Sequence, residues 1–107
     1  MAIHHGYKIN STPGTAEPLM PARTLISWVS AWPRHVDDTD NTGEVRLGGP
    51  PLAADAGAIP SGSGAPLNPG DAAVVWPAHG VNPYDLNQIY MDVDQAEDGV
   101  QFVYHTT

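Results

Sequence analysis

Turn residues cut this chain into short pieces, and the pieces read as strands. Four turn-bounded segments follow one another in its later part: residues 42–49, a corner at 66–71, a run beginning at Asp85 and a closing run at 99–104. Each joins a Gly, Pro, Asn or Asp turn signal to a β-type run. Eleven Gly and eleven Pro are about a fifth of the 107 residues, a proportion that favours many turns between short strands over wholesale disorder. The predicted fold is all-β, an antiparallel β-sandwich in one domain. A chain of this length buries roughly 65% of its unfolded surface, enough for one modest core.

The strongest predicted strand is 22–32, where Leu25, Ile26, Trp28 and Val29 put apolar groups on both faces, as a central strand does. Its β-branched and aromatic residues argue against a helix, and Pro33 ends it. Residues 44–47 alternate polar and apolar, predicting a half-buried strand, and 72–76 predict another, stopped by Pro77. Residues 86–93 and 99–104 are expected to pair as a hairpin across the Asp98-Gly99 turn signal. Residues 1–21 are expected to form an extended N-terminal arm: Tyr7-Lys8-Ile9 suits a short strand, while Pro18 and Pro21 prevent a helix. The sandwich domain is then 22–107. Residues 50–70, rich in Pro, Gly, Ala and Ser, read as a long loop.

Composition narrows the function. The formal charge is −8, with four basic and twelve acidic residues, so phosphate backbones and anionic membranes are repelled and neither nucleic acid nor membrane is an expected partner. No Cys is present, which removes disulfides, thiolate metal sites and a Cys nucleophile. The N-terminus lacks the basic start and apolar run of a signal peptide.

No constellation of catalytic groups emerges, and the expectation is a non-enzyme without cofactor or metal. Asp38-Thr39-Asp40-Asn41-Thr42-Gly43 starts like a calcium loop, but the twelfth position, which needs a bidentate Glu, is Gly49. Asp92, Asp94, Glu97 and Asp98 read as a solvated acidic turn. The five His, at 4, 5, 35, 79 and 105, show no ligand spacing, and Ser27, Ser61 and Ser63 lack a nucleophile-elbow context. Trp28, Trp32 and Trp76 read as core or subunit-contact residues.

In order along the chain stand Asn41-Thr42-Gly43, the run Glu44-Val45-Arg46-Leu47-Gly48-Gly49, Pro66-Leu67-Asn68-Pro69-Gly70-Asp71, Asp85-Leu86-Asn87-Gln88-Ile89-Tyr90 and a terminal Val100-Gln101-Phe102-Val103-Tyr104. This succession resembles small structural proteins of tailed bacteriophages, the capsid decoration or cement proteins and domains of head and tail fibres. The resemblance covers about residues 22–105. It implies a jelly-roll-like sandwich, assembled as a homotrimer, bound to the major capsid protein on the virion exterior. Residues expected at capsid or subunit contacts are Ile3, Tyr7, Ile9, Leu19, Trp32, Trp76 and Tyr84. The alternative is a fibre module that binds a receptor or carbohydrate, with Trp32 and Tyr84 as a sugar platform.

Overall fold

The computed structural model describes residues 2–49, 65–77 and 84–106, with the backbone alone at residues 75–77 and 84. Its strands are β1 (Ile3–Asn10), β2 (Glu17–Pro18), β3 (Leu25–Pro33), β4 (Val45–Gly48), β5 (Ala65–Leu67), β6 (Val74–Pro77), β7 (Tyr84–Asp85), β8 (Tyr90–Val93) and β9 (Asp98–Thr106). They form two antiparallel sheets. Sheet A has the order β1-β9-β3-β6, with β7 in line with β6 on the far edge of β3; sheet B has the order β2-β8-β4-β5. The pairs β1–β9, β2–β8, β3–β6 and β4–β5 nest inside one another along the chain. The chain is thus one long antiparallel ribbon rolled so that successive pairs fall into alternate sheets.

The core lies between the sheets. Sheet A contributes Ile26, Val29, Ala31, Val100, Phe102 and Tyr104; sheet B contributes Val45, Leu47, Leu67, Met91 and Val93, with Leu19 and Leu86 filling one end. Phe102 is wholly buried, worth about 2–3 kcal/mol on area grounds. Its ring lies over β1, where a Cβ on the opposed Gly6 would stand 2.7 Å from it. A glycine in mid-strand is the condition for seating the largest fully buried side chain among the described residues.

β3 is central, as its apolar residues predict, between β9 and β6. Strict alternation would send Ile26 and Val29 to opposite faces. A register shift between Ile26 and Trp28 removes the conflict. The bulge at Ser27 turns both Ile26 and Val29 inward and puts Trp28 outside.

The structure corrects four expectations. Residues 3–10 are not a free arm: they form an eight-residue strand paired along its length with β9, from Ile3–His105 to Asn10–Asp98. The polar His4-His5-Gly6 run is accommodated in this strand because only one of its faces meets the core. The segments 86–93 and 99–104 do not form a hairpin, because β8 belongs to sheet B and β9 to sheet A. Asp94 N–H still bonds the Glu44 carbonyl beside β4, Glu97 takes φ 71°, and Glu97 N–H then reaches the Asn10 carbonyl beside β1. The turn therefore carries the chain across the sandwich. Leu86–Gln88 is a turn of 3-10 helix rather than the start of a strand, capped by the Asp85 carboxylate accepting from Asn87 N–H. Finally, Asp92 and Asp98 of the acidic turn are wholly buried instead of solvated.

Candidate docking face

The outward side chains of sheet A follow from the ladder. Phe102 and Tyr104 point inward, so Gln101, Val103 and His105 of β9 point out. Their β1 partners, Tyr7, His5 and Ile3, share that face, as do Trp28, Ser30 and Trp32 from β3. The result is a surface rich in aromatic and aliphatic groups, and none of the outward side chains of its three strands is a carboxylate, on a chain of net charge −8. Ile3 and Tyr7 are 67% and 70% exposed.

Histidines hold the aromatic rings in place. His105 stacks on Trp28 with centroids 6.1 Å apart and planes 7° from parallel, and His5 stacks on Trp32 at 6.2 Å and 11°. On the inner side His4 covers Tyr104 at 5.2 Å. Ser27 Oγ lies 2.7 Å from His105 Nδ1 and donates to the His105 carbonyl at 3.2 Å. Among the described residues no carboxylate bonds the far nitrogen of that ring, and the Ser27–His105 pair pins the β3 bulge to β9.

One end of the face opens into a groove of about 180 Å³ lined by Tyr7, Ile9, Arg34, Val36, Gln101 and Asp38, among others. Val36, half exposed, is the third large exposed hydrophobic among the described residues. Arg34 Nε donates to Asp38 at 3.1 Å and NH1 to Asp40 at 3.4 Å. Hydrogen bonds from Arg34, together with its charge, hold the Asp38 carboxyl below the usual carboxylate range. The Asp-rich stretch 37–40 is thus an arginine-tied turn, with Asp38 at φ 61°.

Behind this groove the loops are locked by buried polar groups. Asp98 accepts from Thr42 N–H at 3.0 Å and Gly43 N–H at 2.8 Å, and His35 Nε2 lies 3.8 Å away. Asn41 donates to the Gly99 carbonyl at 2.9 Å and accepts from Gly99 N–H at 3.2 Å. On the outer side of sheet B, Arg46 stands opposite Asp92 at 3.7 Å and reaches Asp94 at 2.7 Å and Glu44 at 3.1 Å. Burial works against the Arg46 charge, but these carboxylates prevail and hold its pKa above the ordinary guanidinium value. Gly14 N–H donates to Asp92 at 3.0 Å from the β1–β2 connection. Among the described residues no group of three or more His, Asp or Glu is arranged to hold a metal ion.

Of the expected contact residues, Ile3, Tyr7, Ile9 and Trp32 come together on the sheet A face and its groove. Leu19 does not: it is 2% exposed, packed in the protein's own core. Trp76 and Tyr84 sit opposite Val29 and Ile26 at the β6–β7 edge, and their side chains lie outside the described residues, as do His79, Ser61 and Ser63. Sequence reasoning left Trp28 open between core and subunit contact and missed His5 and His105 as members of the face. The bulge that exposes Trp28 leaves no mark in an apolar run, and the histidines acquire meaning only through the rings they stack on. No helix among the described residues is long and apolar enough to cross a membrane. Comparison with known families, characterised proteins and solved structures gives no match.

Proposed function

We propose that this chain is a structural virion protein of the capsid decoration or cement type, which binds the outer surface of a phage head and stabilises it. The observation that carries this reading is the aromatic face of β1, β3 and β9, whose outward side chains include no carboxylate and where Ile3, Tyr7 and Trp32 converge on a strongly acidic chain. Exposed apolar surface rimmed by polar groups is the mark of an interaction site, and aromatic anchors supply most of the energy at such surfaces. The nested strand pairs support the jelly-roll reading, an architecture used in viral capsids and in lectins. Edge strand β1 takes over the contact role first expected of a free arm. The test is co-sedimentation with purified heads. Wild-type protein is expected to pellet with the shells and Tyr7→Ser/Trp32→Ser to stay in the supernatant; equal pelleting of both sinks the proposal.

A second reading rests on Trp28 and Trp32, which point the same way four residues apart, about 13 Å along β3. Two such rings suit stacking on sugars, as in a receptor-binding fibre module. Saccharide-dependent quenching of tryptophan fluorescence, lost in Trp28→Ala, separates it from shell binding.

A further inference from the structure

We propose that the free edge of β1 is a self-pairing site, at which the β1 strands of two copies join antiparallel about a twofold axis through Gly6. The register fixes the groups involved. Thr106 N–H donates to the Ala2 carbonyl at 2.9 Å, so Ala2–Thr106 is a hydrogen-bonded pair of the β1–β9 ladder. Hydrogen-bonded pairs alternate in antiparallel strands. His4, Gly6 and Lys8 therefore point their backbone groups at β9, while Ile3, His5, Tyr7 and Ile9 point theirs the other way. Among the described residues no strand pairs with that side.

The other sheet edges are blunted and this one is not. β2, β5 and β6 are short and contain Pro18, Pro66 and Pro77. Proline on an edge strand is a usual device against edge-to-edge association. β1 is eight residues long and has no proline, and Lys8, its one lysine, faces inward toward Glu17 at 3.6 Å.

Two features select a second copy as the occupant. β1 contains no Asp or Glu, so two chains of charge −8 can meet there without bringing strand carboxylates together. The edge is also complementary to itself. With Gly6 of both copies on the axis, Ile3 faces Ile9 of the second copy and His5 faces its Tyr7. All four outward N–H groups and all four outward carbonyls of each strand then find partners. On the outer face this sets isoleucine against isoleucine and imidazole against phenol. Because a strand edge is a small interface, a weak dimer is expected, with Kd on the order of 100 µM. This dimer is twofold, unlike the threefold assembly that the phage resemblance implies, and it does not depend on shell binding.

The full chain should sediment as a concentration-dependent dimer, approaching twice 11.3 kDa at about 0.5 mM. Tyr7→Glu, which places a carboxylate at the seam, and Tyr7→Pro, which removes an outward N–H, should both be monomers with an unchanged far-ultraviolet spectrum. Because the chain has no Cys, a mixture of His4→Cys and Lys8→Cys proteins gives an independent readout. Those two positions face each other across the proposed seam as a non-hydrogen-bonded pair, with Cα atoms about 4.5 Å apart, within disulfide reach. Oxidation should give the mixed disulfide dimer far in excess of either homodimer. A wild-type monomer at 0.5 mM, a trimer, or statistical cross-linking would each overturn the proposal, whatever the result with heads.

Discussion

The outer sides of the two sheets are built from the same kind of ladder and treated in opposite ways. On sheet B the outward residues Arg46 and Asp92 are buried, because Glu44, Asp94 and the Gly14 turn close over them. On sheet A the outward residues are Tyr7, Trp28, Trp32 and their histidines, and Ile3 and Tyr7 stand mostly in solvent. The chain thus satisfies charge with its own loops on one side and leaves aromatic surface exposed on the other. One side serves the fold, and the other is what a partner would meet.

The sharpest way to break the comparison is to strip the charge from sheet B. Arg46→Ala takes the guanidinium away from the buried Asp92 and from Glu44 and Asp94 at its rim and should cost about 3–5 kcal/mol, read as a large loss in denaturation midpoint. A loss under 1 kcal/mol would mean that this side is as tolerant as the other. Asp98→Ala strands the N–H groups of Thr42 and Gly43 and should cost about 2–4 kcal/mol. Gly6→Ala forces the Phe102 ring aside and should cost about 1–3 kcal/mol in urea melts. Tyr7→Ser, on the open side, should change stability by no more than about 0.5 kcal/mol while removing shell binding. Loss of both together would make the face structural.

The smallest effect is acid sensitivity. The Asp85 carboxyl is held below its ordinary range by hydrogen bonds from Thr24 and Asn87 N–H, and Asp38 by Arg34. Folded values below unfolded ones mean a contribution complete above about pH 3.9 and lost as pH falls through the lower folded values. Thermal melts between pH 7 and 2 should show the midpoint falling on acidification, and Asp85→Asn should flatten that fall.

Much of the fold was legible because turn residues and β-branched runs act locally. The antiparallel sandwich, central β3 and the strands around Val45 and Val74 all rest on such signals. What escaped depended on distant partners. Gly6 looks like a strand breaker until Phe102 is placed over it. Asp98-Gly99 looks like a hairpin tip. In the structure Asp98 is buried among the 42–43 amides, and a Cβ on Gly99 would collide with the Lys8 carbonyl. The acidic turn reads as solvated because a carboxylate in sequence does not disclose a buried arginine 46 or 48 residues away. At the docking face, Ile3, Tyr7 and Ile9 were named as contact candidates, and they share the outward side of β1. The face of Trp28 was set by a bulge, which is a matter of register with β9.

The pairing of β1 with β9, the outermost of the nested pairs, also governs when the molecule can form during synthesis. β9 is the bridge between β1 and β3, so neither neighbour gains its common ladder until some seventy further residues have left the ribosome after β3. Until then β1 has no partner strand and β3 has only β6 and β7, and pairings of such high sequence separation close slowly, in about milliseconds to seconds. Nascent chains crowded on one message would present unprotected strands to one another during that interval, making translation rate and chaperone supply the determinants of yield.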